Sequence, residues 1–150
     1  MKINYCFEPR KNCLGEEIPD SNLRVQVGSL CVGKQKIPFT RHDYKFILDR
    51  SPEDYEKTKK WIISRLLPYM TRKTENRRHS SYGIKHVVER EIGSYVSNAE
   101  IKLILAELEI PFWGSLDSPN MLYPISENFY KSPDRKVPYK LKKENEYGNL

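Results

Sequence analysis

The stretch that decides the fold is residues 81–109, SYGIKHVVEREIGSYVSNAEIKLILAELE. Its apolar residues recur at helical spacing on both sides of a single glycine, which predicts two helices joined by a tight turn. The first helix is expected over residues 81–92, with Gly93 in the left-handed conformation that ends many helices. The second is expected over residues 97–109, because the tetrapeptide S-N-A-E at its start has the spacing of a capping box. Together they predict a helix-turn-helix-like pair.

A further helix precedes this pair, and two short strands follow it. Ser51 can cap the earlier helix and Pro52 suits its first position, while Pro68 is expected to kink or end it. Residues 110–113 and 121–125 are predicted to form a hairpin around a loop that contains Gly, Asp, Pro and Asn. Three helices followed by a hairpin is the order of elements in a winged-helix domain.

The first fifty residues have a different pattern. Residues 2–7 are predicted to form a strand, and residues 23–27 alternate apolar and polar side chains as a half-buried strand does. Gly28 is expected to mark a bulge, and residues 30–32 and 37–39 continue the β-type pattern.

The predicted fold class is therefore α+β. Residues 1–50 form a β-rich part, residues 51–126 a winged-helix-like domain, and residues 127–150 a charged tail with two prolines. Whether the β-rich part extends the main domain or forms a separate module is open at this point.

Positive charge is concentrated in the middle of the chain. The 150 residues contain 26 Lys and Arg against 20 Asp and Glu, for a net charge of +6. The segment from Lys57 to Arg90 alone contains ten basic residues and two acidic ones. A basic linker joins the first two helices, and Tyr69 and Tyr82 flank it. Basic loops beside aromatic rings are typical of phosphate contacts and of stacking on unpaired bases. A solvated basic loop that aids solubility is the alternative.

The nucleic-acid hypothesis assigns most of the contacts to that linker and fewer to the third helix. The third helix offers a base-reading asparagine, but its acidic residues are unfavourable beside a polyanion. Binding is therefore expected to depend on phosphates of duplex or single-stranded nucleic acid. The candidate residues are Arg72, Lys73, Arg77, Arg78, Lys85, Asn98 and Lys102.

Two segments carry a resemblance. The pattern S-Y-G-x-K-H at 81–86, followed by G-x-Y-V-S-N-x-E at 93–100, resembles small uncharacterised proteins of phages and mobile elements. The match covers about 20 of the 150 residues. It implies a setting in which small proteins are often DNA-associated regulators or inhibitors of host defence, including anti-CRISPR proteins.

A protein-binding inhibitor of a bacterial nucleic-acid-targeting defence complex is therefore the alternative function. Its interface would use aromatic anchors, since Trp and Tyr are enriched in binding hot spots. Ordinary core packing is the competing explanation for the same side chains. The candidates are Tyr95, Phe112, Trp113 and Tyr123.

Catalytic motifs are not found in the sequence, which has no G-x-S-x-G, P-loop, H-E-x-x-H or C-x2-C pattern. His86 and Glu89 lie three apart on a predicted helix, but neither a nucleophile nor an oxyanion site accompanies them. The protein is therefore expected to be non-enzymatic and to need no cofactor.

Cysteine spacing and hydropathy indicate the compartment. The three cysteines, Cys6, Cys13 and Cys31, do not have zinc-site spacing even with His42 as a fourth ligand, so no metal is expected. No signal peptide and no apolar run of membrane-spanning length is present. Reduced thiols and a cytoplasmic location without membrane contact are expected.

Overall fold

The computed structural model describes residues 3–9, 11–17, 28–114 and 118–131, and it is a mixed α+β structure. All three strands and the first two helices precede the helical pair that the sequence predicts, and a short helix follows it. The elements are β1 (Ile3–Pro9), β2 (Gly28–Val32), β3 (Gln35–Pro38), α1 (Arg41–Asp49), α2 (Pro52–Trp61), α3 (Ser81–Ile92), α4 (Asn98–Glu107) and α5 (Asn128–Lys131), with a π-helical turn at Ile62–Leu66 and a 3-10 turn at Leu67–Tyr69.

The three strands form one antiparallel sheet in the order β1-β2-β3. Leu30 pairs with Ile37, and both side chains are fully buried. The predicted bulge at Gly28 is wrong, because Gly28 pairs in register with Pro9 and the irregularity lies within β1. The predicted strand at residues 23–27 lies outside the described residues. The strands that begin at residues 2, 30 and 37 are confirmed, with shifted ends.

Helix α1 lies within residues 1–50, which the sequence predicts to be β-rich, and it was not predicted. Thr40 begins it with a complete capping box: its Oγ1 accepts from the Asp43 amide at 3.0 Å, and Asp43 Oδ2 accepts from the Thr40 amide at 3.2 Å. This reciprocal pair satisfies two backbone donors that a helix start otherwise leaves without partners. The helix therefore begins three residues after the sheet ends.

Helix α2 starts as predicted, with the Ser51 hydroxyl accepting from the Asp54 amide and proline in the first turn. It then widens into the π-helical turn and tightens into the 3-10 turn that contains Pro68. The wider turn changes which side chains face inward. Ile62 and Leu66 are fully buried, whereas the adjacent Ile63 is 43% exposed.

The helical pair is confirmed. Gly93 is left-handed at φ 80°, and the Ser97 hydroxyl accepts from the Glu100 amide at 3.1 Å. The Glu100 carboxylate, which the capping box directs to the Ser97 amide, makes its close hydrogen bond to Arg50 Nε at 2.8 Å. Helix α4 is the central element, because every residue from Ala99 to Ala106 is buried. A helix covered on all sides belongs to the core.

The predicted hairpin is reduced to isolated bridges. Trp113 and Leu122 exchange both backbone hydrogen bonds, at 3.0 and 2.8 Å, and Ser80 bridges to Leu122 as well. Leu122 therefore pairs with one residue before α3, Ser80, and with one residue after α4, Trp113. Residues 128–131, predicted as part of the tail, form α5 with Phe129 buried in the core.

One hydrophobic core contains side chains from both parts of the chain. Leu30 and Phe39 from the N-terminal part belong to the same buried cluster as Ile104 and Phe129. The first fifty residues thus contribute to the core that the helices form. Within the described ranges, none of the helices combines the length and apolar character that crossing a bilayer demands.

Two glycines, one inside α3 and one directly after it, provide a matched stability test. At Gly93 and Gly83 alike, an added Cβ would meet no atom within 4 Å, but only Gly93 has positive φ. We expect Gly93→Ala to lower the free energy of unfolding by about 1–2 kcal/mol, because an L-residue is strained in that conformation. Gly83→Ala, inside the helix, is expected to raise it by about 0.5–1 kcal/mol. Urea denaturation measures both, and a change of the same sign in the two variants would contradict this account.

Candidate nucleic-acid interface

The basic loop, residues 72–78, is hydrogen-bonded to the segment that directly follows Leu122. The Arg72 amide donates to Pro124 O at 3.0 Å, and the Asn76 amide donates to Tyr123 O at 2.8 Å. Just before the loop, Tyr69 O accepts from the Ser126 amide at 2.8 Å. The backbone of the loop is therefore fixed just before its start, at its first residue and in its middle.

Asn76 determines the conformation of the loop, although it is not among the residues predicted from the sequence. It is 3% exposed. Its Nδ2 donates to Ile125 O and to Glu127 Oε1, both at 2.9 Å, and its Oδ1 accepts from the Arg78 amide at 3.0 Å. A lone Asn in a polar loop gives no sequence signal, so this role is visible only in the structure.

The four basic side chains predicted in this loop are exposed. Arg77 is 84% exposed, with Nε 3.1 Å from Glu75 Oε1, and Arg72 Nε donates to Thr74 O at 3.4 Å. A concavity of about 520 Å³ opens between them. It is lined by Arg72, Thr74, Glu75, Asn76, Arg77, Arg78 and Glu127. The structure therefore brings Arg72, Arg77 and Arg78 around one depression.

Two carboxylates lie in this depression, and both are held in the charged form. Hydrogen bonds from its own backbone amide and from Arg77 lower the pKa of Glu75. The Asn76 amide, and after it His79, lower the pKa of Glu127. Three arginines against two carboxylates leave the depression positive at neutral pH.

His79 closes the loop against α5. Its Nε2 lies 2.9 Å from Glu127 Oε1, and its ring stacks on Tyr130 with centroids 3.6 Å apart and planes 16° apart. These contacts fix the point at which the loop passes into α3.

Lys85 lies in α3, apart from the loop cations. Its side chain is 12% exposed, its Nζ is 3.4 Å from Glu89 Oε2, and it lies over the rings of Tyr82 and Tyr95 at 5.4 and 5.6 Å. His86 Nδ1 is 3.7 Å from the same Glu89 oxygen, which is beyond hydrogen-bond distance.

Asn98 and Lys102 do not face the basic loop. Lys102 is fully buried, and its ammonium donates to Pro38 O, Pro119 O and Asp43 Oδ2 at 2.7, 2.9 and 3.2 Å. The prediction that Lys102 contacts nucleic acid is wrong, because all three of its donors are used inside the protein. Asn98 is partly buried, and its Nδ2 donates to Pro119 O and Asn120 Oδ1.

The four predicted interface aromatics divide by exposure. Tyr95 is 57% exposed, and Phe112 and Trp113 are partly buried. Tyr123 is 1% exposed, its hydroxyl lies 3.8 Å from Met121 Sδ, and burial raises its pKa. Tyr123 is therefore a core residue, and its prediction as an interface anchor is wrong.

Neither a search for metal-binding clusters nor a comparison with known proteins identifies a function for this site. In the part of the chain that the structure describes, no three His, Cys, Asp or Glu side chains are grouped so that they could hold a metal ion. Comparison of the chain with protein-family models, with curated proteins and with solved structures returns no significant match.

Proposed function

We propose that the protein is a small nucleic-acid-associated protein that binds phosphates through the basic loop. The observation that carries this proposal is the set of four exposed cations on a loop fixed by Asn76, three of which, Arg72, Arg77 and Arg78, surround one concavity. Cations presented by a rigid loop lose little conformational freedom when they bind, which favours affinity. The resemblance to proteins of phages and mobile elements is consistent with this role.

A winged-helix-like arrangement of residues 51–126 is part of the proposal. It is supported by the order of α2, the bridge at Ser80, α3, α4 and the bridge between Trp113 and Leu122. In such domains the second helix of the pair usually enters the major groove. Because α4 is covered on all sides here, we propose binding that follows the phosphate backbone and tolerates different sequences.

The test is a salt titration of binding to labelled nucleic acid from about 50 to about 200 mM salt. We expect Arg77→Gln with Arg78→Gln to reduce the slope of log K against log salt by about 1.8 on duplex DNA, which is about 0.9 for each lost phosphate contact. The reason is that each neutralised phosphate releases its counterions.

A matched control removes the same charge elsewhere. Lys45→Gln with Lys57→Gln replaces two exposed lysines of α1 and α2 and should leave the slope unchanged. Equal slopes for the two double variants, or no binding by the unmodified protein at about 50 mM salt, would refute the proposal.

A second candidate, protein-binding inhibition of a nucleic-acid-targeting defence complex, is favoured by the 57% exposure of Tyr95. Phe112 and Trp113, which are partly exposed, are its other candidate anchors. Trp113→Ala is then expected to abolish a stoichiometric assembly with a purified defence complex while the thermal unfolding midpoint stays near that of the parent protein. An assembly that survives the substitution would exclude Trp113 as an anchor.

We propose that the protein acts by binding and not by catalysis. His86 and Glu89 are the pair whose chemistry would contradict this. Turnover of a nucleic-acid or nucleotide substrate that His86→Ala abolishes with the fold intact would replace the binding proposal with an enzymatic one.

A further inference from the structure

The outward face of α3 presents an aromatic and basic surface. Tyr82, His86 and Arg90 follow one another at four-residue spacing, and all three are exposed. Residues at this spacing lie one above the next on a helix. The Tyr82 and His86 rings meet edge to face, with centroids 4.5 Å apart and planes 89° apart. The face therefore presents two rings and then a cation along the helix.

Tyr95 extends this surface beyond the end of α3. It is 57% exposed and meets Phe46 of α1 edge to face, with centroids 5.6 Å apart. Lys85 lies under both tyrosines, with Nζ within 6 Å of each ring centroid, which is the range of a cation–π contact. We call Tyr82, His86, Tyr95 and Phe46 the aromatic strip.

The strip is held in place and carries little negative charge. Glu89, the acid beside it, is 23% exposed and binds Lys85 at 3.4 Å and the Val96 amide at 3.1 Å. Tyr95, His86 and Arg90 border an open depression of about 590 Å³. Tyr82 and Tyr95 remain 51% and 57% exposed beside the Lys85 ammonium, so both rings are accessible from solvent.

Continuity with the basic loop indicates the class of ligand. The loop ends at residue 78, and α3 begins at Ser81, so Tyr82 follows the loop cations within the first turn of the helix. A groove of cations that leads to exposed aromatic rings is the arrangement that binds unpaired strands, because every base has a π-face. Bases of a duplex are stacked inside the helix and cannot reach these rings.

We infer that the aromatic strip is a stacking platform for unpaired bases, so that the ligand of this protein is single-stranded nucleic acid. The inference rests on the proposed function, because the phosphates of the same strand lie on the basic loop. The strand then runs from Arg77 and Arg78 along α3 toward Tyr95, with bases on Tyr82 and Tyr95.

The test compares Tyr82→Leu and Tyr95→Leu with Tyr82→Phe and Tyr95→Phe. Leucine keeps apolar bulk without a π-face, whereas phenylalanine keeps the ring. The probes are an oligothymidine of about 20 nucleotides and a duplex of about 20 base pairs, at about 50 mM salt. Each leucine variant is expected to weaken oligothymidine binding between about fivefold and about 150-fold, while the phenylalanine variants retain it. Duplex binding and the salt slope should not change.

The outcomes separate this inference from the proposed function. If the unmodified protein binds neither probe, both fail. If it binds both probes and the leucine variants lose neither, or lose both equally, the stacking platform is refuted and the phosphate-binding loop stands. Tyr82 contacts the side chains of Lys85 and His86 on its own helix, so Tyr82→Leu should keep the thermal midpoint of the parent protein. It therefore decides the question even if Tyr95→Leu disturbs Phe46.

Discussion

Lys102→Met is expected to lower the free energy of unfolding by about 3–5 kcal/mol, which is the usual effect of removing one partner from a buried ion pair. Lys102 is fully buried, and burial lowers its pKa. The three hydrogen bonds and the charge of Asp43 hold the ammonium in the core, and it also lies 4.9 Å from the centre of the Phe39 ring. Methionine has a similar length but donates no hydrogen bond.

The size of this effect follows from what the substitution leaves behind. The Asp43 carboxylate would lose its ammonium partner, the Pro38 carbonyl would lose the donor that Lys102 provides, and the Pro119 carbonyl would keep its hydrogen bond from Asn98. These groups belong to the end of β3, the start of α1 and the loop before Met121, so three segments lose a shared anchor. Since small domains are stable by about 5–15 kcal/mol, this one loss is a large fraction of the total.

Urea denaturation followed by circular dichroism measures the change, and Lys45→Met provides the control. Lys45 is exposed on α1, so its substitution should alter the free energy of unfolding by no more than about 0.5 kcal/mol. The explanation fails if Lys102→Met is as stable as that control.

The helices were predictable where their ends carry a local chemical signal. Ser51 and Pro52 begin α2, Gly93 ends α3, and Ser97 begins α4, each through a contact between neighbours in sequence. Helix α1 carries such a signal as well, in Thr40 and its partner three residues later. Helix α1 was not predicted, because the residues after Thr40 directly follow the predicted strands and were included in the β-rich part. The exposed Ile63 was unpredictable, since regular helical spacing does not anticipate a π-helical turn.

The positive charge of the candidate site was predictable from the sequence, whereas the geometry of its side chains was not. The local density of Lys and Arg identifies the basic loop, but the anchoring by Asn76 depends on a carbonyl 49 residues away in sequence. Lys102 was assigned to the surface because lysine usually lies there. The apolar residues around it on every side of α4 indicate a central helix, and that signal was available in the sequence. The aromatic strip also has a signal, the four-residue spacing of Tyr82, His86 and Arg90.

Arg50→Met is expected to lower the free energy of unfolding by about 3–5 kcal/mol at neutral pH, because it leaves the Glu100 carboxylate buried without its cation. Arg50 Nε lies 2.8 Å from Glu100 Oε2, and its Nη2 donates to Tyr95 O at 3.0 Å. Glu100 is fully buried, whereas Arg50 is 14% exposed. Arg41→Met is the control: its pair with Glu17 is about half exposed on both sides, so the change should stay within about 1 kcal/mol.

The effect of Arg50→Met should depend on pH in a defined direction. Burial raises the pKa of Glu100 above 4.5, and the hydrogen bond and charge of Arg50 oppose that rise. Without Arg50 the pKa in the folded protein rises further, so the folded state takes up a proton that the unfolded state takes up only near pH 4.5. The destabilisation relative to the parent protein is therefore full above the folded pKa and shrinks as the pH falls toward 4.5.

Urea denaturation of both proteins across this pH range measures the dependence, and Glu100→Gln isolates the charge. In the double variant Arg50→Met with Glu100→Gln, no carboxylate is left to bury, so part of the stability at neutral pH should return. The pH dependence relative to the parent protein should reverse, because the raised pKa of Glu100 makes only the parent lose stability as the pH rises. A loss in Arg50→Met that stays constant with pH would assign the effect to the lost Tyr95 carbonyl contact and packing. Since that contact also positions the exposed ring of Tyr95, the same variant links the stability of α4 to the aromatic strip.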